Sequence, residues 1–223
     1  MNERLPKARS AIGGTEAEAE ACGLVLAGLL AGLAGMVDAI GYLHLSGLFI
    51  SFMSGNSTQL AAALGQGQLA EAGTIAELIA LFVVGAATGQ VLAVVTGRSH
   101  MTWVLVGVAI LLAIAAALGT AAEPMVFAMG ALNAAMRRAG SIPISLTFVT
   151  GVLVRFGQSL GDFLTRRLTG WNWFAQGTPW VGLIAGATIG GAIYSQVGGA
   201  AIWVPVSLAG LLAGCSIIIP PPD

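Results

Sequence analysis

The chain is laid out as apolar runs at about 21–44, 48–65, 74–97, 101–120, 124–138, 142–165, 179–197 and 200–219, with short polar joints between them. A run of about 20 apolar residues crosses the hydrocarbon core of a bilayer as a helix. In that solvent the backbone must satisfy its own hydrogen bonds, so helices are expected in every run. Composition agrees: 57% of the 223 residues are hydrophobic and 9% are charged, against about 25% charged in a soluble domain. So few charges cannot clothe a water-exposed surface. That excludes a soluble domain, a nucleic-acid binder and a disordered chain. The net charge of −1 gives no general attraction to nucleic acid or acidic lipid.

The expected fold class is therefore all-α integral membrane. Residues 1–20 read as a flexible cytoplasmic tail, carrying Arg4, Lys7 and Arg9 and then Glu16, Glu18 and Glu20. This acidic stretch, and the absence of a small-x-small cleavage site, argue for a retained first span rather than a signal peptide. A single transmembrane domain occupies 21–219, and 220–223 form a second tail. Cys22 and Cys215 both lie inside apolar runs and offer neither a disulfide framework nor metal-ligand spacing.

Two runs depart from a plain helical pattern. LFISFMSGNSTQLAAALG (48–65) and IPISLTFVTGVLVRFGQSLGDFLT (142–165) each begin extended, pass through a small polar or glycine-containing stretch, and end helical. Each reads as a strand-like piece feeding a half-helix that starts inside the membrane, with Ser54 and Thr150 as N-cap residues.

The two halves resemble each other. Gly35-Met36-Val37-Asp38-Ala39 matches Gly130-Ala131-Leu132-Asn133-Ala134, Phe52-Met53-Ser54-Gly55 matches Phe148-Val149-Thr150-Gly151, and Gly85/Gly89 matches Gly186/Gly190. Repeat 1 covers about 21–120 and repeat 2 about 121–219. If both broken segments return to the side they came from, Arg98, Arg137, Arg138, Arg166 and Arg167 join the N-terminal cations on one side, with Glu123 opposite. Cytoplasmic loops collect Lys and Arg. The expectation is about six full spans plus two broken strand/half-helix segments, in two inverted repeats with both termini cytoplasmic. An eight-crossing parallel arrangement is the alternative. Trp103, Trp180 and Trp203 fit the interfacial aromatic belt.

Half-helix N-termini leave unpaired N–H groups and about half a positive charge. Ser54, Gly55, Asn56, Ser57, Thr150 and Gly151 are therefore candidate substrate-binding residues, as is Arg155. Packing positions with hydroxyls bonded to nearby carbonyls are the plainer reading of each Ser or Thr. Asp38 and Arg155 lie within apolar segments, where ionisable groups are costly. They read as a structural ion pair or as site residues, with Arg155 for substrate charge and Asp38 for a coupling proton. Asn133, the counterpart of Asp38, keeps hydrogen bonding but cannot titrate.

GMVDAIGYLHLSGLFISFMSGNST and GALNAAMRRAGSIPISLTFVTGVLVRFGQ resemble the YoaK family, bacterial multi-pass proteins carrying a domain of unknown function. More distantly, Phe148, Thr150, Gly151 and Arg155 are similar to the half-helix motif of SulP-type anion transporters. That likeness implies an anion-leaning site at Thr150, Gly151 and Arg155. This chain is about half the length of a SulP core and has no separate gate repeats; a homodimer would compensate.

The leading functional expectation is a small secondary transporter in a bacterial inner membrane, moving a small anionic or polar solute, with proton coupling at Asp38. A channel or facilitator, or a non-transporting scaffold or sensor, is the alternative. An enzyme is not expected: G-x-S-x-G and H-E-x-x-H are absent, and His44 and His100 are predicted near opposite faces. No catalytic residue, metal, cofactor or nucleic-acid partner is expected.

Overall fold

In the computed structural model, residues 5–135, 138–139, 142–143, 149–167 and 177–218 are described. Arg4, Arg137, Phe148 and the tail 220–223, all named above, lie outside them.

The chain is helical almost throughout its described length. In order it forms α1 (Leu5–His44), α2 (Met53–Gly65), α3 (Leu69–Thr96), α4 (His100–Ala117), α5 (Ala122–Ala135), β1 (Arg138–Ala139), β2 (Ile142–Pro143), α6 (Val149–Leu164), α7 (Thr178–Val197) and α8 (Trp203–Ile218). The 3₁₀ turns Gly97–Ser99 and Gly198–Ile202 join α3 to α4 and α7 to α8. The two-residue strands pair antiparallel, Arg138 with Pro143 and Ala139 with Ile142. Helix α1 starts at Leu5, inside the stretch read as a flexible tail. The Glu/Ala alternation there is made of good helix formers.

Four stretches are long and apolar enough to cross a bilayer: Cys22–His44, Leu69–Thr96, His100–Ala117 and Thr178–Ile217. The last contains both α7 and α8. That is a coarser result than six full spans. Helix α5 has 14 residues and α6 has 16, or about 21 and 24 Å at 1.5 Å per residue, short of a 30 Å core.

Helix α1 packs on α7, α3 on α5, and α4 on α8. Lipid is as apolar as leucine, so helices in it associate by close packing rather than by hydrophobic exclusion. The glycines mark where this happens. A Cβ on Gly35 would run into the backbone of Leu183, and one on Gly186 into that of Gly32; Gly190 lies against Met36. In the other pair, Gly130 abuts Phe82, Gly85 abuts Phe127 and Gly89 abuts Ala131. Each of these three contacts of α1 with α7 thus has a counterpart between α5 and α3 at the positions matched by the sequence repeat. In both pairs the contacts advance together along the two helices, so α1 runs parallel to α7 and α3 parallel to α5.

Helix ends sort onto two faces. On one, His44 Nδ1 lies 3.3 Å from the Tyr194 hydroxyl, and the Thr120 hydroxyl donates to Gly199 O at 3.1 Å. The ends of α1, α4 and α7 meet the start of α8 there. On the other, Thr102 near the start of α4 shares a 2.8 Å hydrogen bond with Ser216 near the end of α8. The core is centred on α1 and α5, with Leu30, Leu33, Ile40, Met125, Met129 and Leu132 fully buried.

Candidate functional site

Between the end of α1 and the start of α2 the chain is not helical, and its backbone polar groups need partners. Side chains on both flanking helices supply them. From α1, the Asp38 carboxylate accepts from Ile50 N at 2.8 Å and Ser51 N at 2.7 Å through Oδ1, and from the Ser51 hydroxyl through Oδ2. From α2, Asn56 Nδ2 donates to Phe49 O at 2.7 Å while its Oδ1 accepts from Phe49 N at 3.0 Å. Gln59 Nε2 donates to Gly47 O at 3.0 Å. Residues 47–51 thus form a strap held between two helices, with Ile50, Ser51 and Asn56 buried. The strap's turn needs a left-handed backbone at Gly47, where φ is +108°.

The strap, α1, α7 and the first turn of α6 border a partly open cavity of about 560 Å³. Helix α1 contributes Gly35, Asp38, Ala39, Tyr42 and Leu43; the strap and the residue after it contribute Phe49 and Phe52. Thr150 enters from α6, and Leu183, Ala187 and Gly191 from α7. Three of these side chains make a continuous aromatic wall. Tyr42 and Phe49 have centroids 4.9 Å apart, and Phe49 and Phe52 meet edge to face at 5.2 Å.

The structure brings together two of the sequence-predicted residues, Asp38 and Thr150, and places the others differently. Neither Ser54 nor Thr150 is an N-cap: each is the second residue of its helix, and Phe52 occupies the cap of α2 with no side-chain cap bond. Ser54 and Ser57 are exposed, and the Ser57 hydroxyl donates to Met53 O one turn back. Gly55 faces protein, since a Cβ there would meet the Phe52 and Phe49 rings at 2.7 to 3.1 Å. Asn56 spends its amide on the Phe49 backbone, so it builds the strap and does not face the cavity.

Gly151 is half-buried at the start of α6 and outside the cavity lining. Asn133 Nδ2 donates to Met129 O at 2.8 Å. The Asp38–Arg155 pair is not formed: the carboxylate takes neutral donors, and Arg155 lies off the cavity lining. Among the described residues Arg155 Nε is buried without a hydrogen-bond partner.

Sequence reasoning missed Tyr42, Phe49 and Phe52. The available signal was their spacing: Tyr42 is one helical turn beyond Asp38, on the same face, and Phe49 and Phe52 flank Ile50-Ser51.

The family model described as "Protein of unknown function (DUF1275)" matches residues 26–215. A Rhizobium meliloti (strain 1021) protein described as "UPF0700 transmembrane protein RA0705" is 38% identical over 202 residues, covering 89% of this chain and 88% of the relative. No solved structure matches the chain.

Proposed function

We propose that this chain, which belongs to the uncharacterised DUF1275 family and is a multi-pass membrane protein, is a small secondary transporter whose solute binds in the α1–α7 cavity. The carrying observation is the cavity itself: a chamber beside an interrupted membrane segment, with a carboxylate in its wall. Irregular backbone at membrane depth is tolerated where it is buried in protein or lines a cavity, and transporters build their sites from such segments.

The two halves are read as inverted repeats. The matched glycine contacts support this, as do the helix directions: α1, α4 and α7 run toward the His44 face, and α8 runs away from it. Helix α3 must start on the His44 face, because it ends where α4 begins on the other. The segment carrying α2 therefore leaves and re-enters that face. Arg98, between α3 and α4, lies on the opposite face, while Glu123 opens α5 at the His44 face. The positive-inside rule then makes the Arg98 face cytoplasmic, in a bacterial inner membrane, with both termini on that side.

Among the described residues of the lining, Asp38 is the carboxylate and Tyr42 its one titratable companion. In this reading Asp38 carries the coupling proton. Purified protein in proteoliposomes, screened with radiolabelled quaternary ammonium, carboxylate and amino-acid solutes with and without a pH gradient, tests the proposal. Gradient-driven accumulation of one class is the expected result. Equilibration unaffected by the gradient would identify a facilitator, and the absence of uptake would remove transport.

A further inference from the structure

The cavity's chemistry selects a charge type, and it is not the one that a half-helix tip and Arg155 suggest from sequence. Asp38 receives three hydrogen bonds, all from neutral groups: two backbone N–H groups and one hydroxyl. The Phe52 N–H is a further neutral group facing the carboxylate; these donors spread its charge without neutralising it. When ionised, its full negative charge stands at the cavity wall with no cationic side chain among the described residues of the lining. The backbone N–H groups just before α2 point at Asp38, so the positive end of that helix is already occupied by an acidic residue of the protein. Arg155 sits five residues beyond Thr150 on α6 and does not reach the lining.

The rings of Tyr42, Phe49 and Phe52 share the lining with this charge. Aromatic faces attract cations within about 6 Å of the ring centroid, more strongly where water is excluded. Among the described residues the remaining lining is aliphatic or glycine apart from Thr150. A volume of about 560 Å³ suits an organic molecule and far exceeds a bare metal ion.

We propose that the cavity binds a monovalent organic cation with an apolar body, its charged head taken up by the Asp38 carboxylate and the rings of Tyr42, Phe49 and Phe52 that share its lining. The proposal rests on the reading of this cavity as the solute site.

Equilibrium dialysis on purified protein in nanodiscs tests it with three probes of similar size: benzyltrimethylammonium, its neutral carbon isostere neopentylbenzene, and the anion phenylmethanesulfonate. Protein-free nanodiscs correct for partition into lipid. The cation should bind at least about tenfold more tightly than either other probe. Asp38→Asn should remove most of that preference. Because Asp38→Asn also weakens the strap, Phe52→Leu and Tyr42→Leu serve as second variants; each should weaken the cation by about tenfold and leave neopentylbenzene within about threefold. Preferential sulfonate binding lost in Arg155→Gln would overturn the proposal, as would a cation affinity indifferent to all three cavity variants. Cation binding without uptake in proteoliposomes would leave this inference standing and remove the transport reading. Gradient-driven uptake of anions alone would do the reverse.

Discussion

Asp38 accepts hydrogen bonds from both the backbone N–H and the hydroxyl of Ser51, thirteen residues along the chain, across the gap between α1 and the strap. One residue thereby fixes the cavity wall and supplies its charge. Removing the carboxylate leaves the N–H groups of Ile50 and Ser51 unpaired, and each buried orphan costs about 1–3 kcal/mol. Asp38→Ala should therefore lower the melting temperature in detergent clearly. Asp38→Asn, which retains one acceptor oxygen, should cost less. Equal melting of both variants and the wild type would show that the strap does not depend on Asp38.

Asn56→Ala should destabilise in the same way, because the Phe49 peptide loses both of its partners. Ser57→Ala should stay within about 0.5 kcal/mol of wild type and keep full uptake, since that hydroxyl bonds its own helix. Thermal unfolding read beside uptake checks the pair. Loss of uptake in a stable Ser57→Ala protein would restore Ser57 to the site.

Helix contacts give a symmetric expectation. Gly35→Ala and Gly130→Ala each place a methyl group against backbone, of Leu183 and Phe82 respectively. Overpacking of this kind costs about 1–3 kcal/mol. Gly107→Ala meets nothing within 4 Å and should be neutral or slightly stabilising in its helix. Detergent-unfolding midpoints of the three variants provide the comparison. An unaffected Gly130→Ala beside a damaged Gly35→Ala would break the equivalence of the two crossings.

Topology is testable with single cysteines placed at 98, 123 and 166 after replacing Cys22 and Cys215, both exposed. Positions 98 and 166 should react with a membrane-impermeant maleimide only in inverted vesicles, and 123 only in right-side-out cells. Labelling of 98 and 123 from the same side would reject the inverted arrangement.

These relationships were unequally legible in the sequence. The interruption before Ser54, the matched glycines and the place of Asp38 in an apolar helix long enough to cross a bilayer follow from local composition and spacing, and all were readable. The partners were not. That Asp38 meets Ser51 rather than Arg155, and that Asn56 serves the Phe49 backbone, depends on how the strap folds back between α1 and α2. No periodicity encodes that path. Tyr42, Phe49 and Phe52 look like ordinary apolar residues until the strap stacks them. The cap positions were displaced because each helix starts one residue earlier than its first hydroxyl side chain.

The central claim is that solute passes through the α1–α7 cavity, and filling that cavity tests it most directly. Gly191 lines the cavity, and among the described residues a Cβ there has only Leu43 Cδ1 at 3.9 Å for a neighbour. Uptake of radiolabelled benzyltrimethylammonium into proteoliposomes should be driven by a pH gradient in the wild type, abolished in Gly191→Trp and retained in Gly107→Trp, with all three proteins equally folded. Wild-type uptake by a folded Gly191→Trp protein would contradict the account.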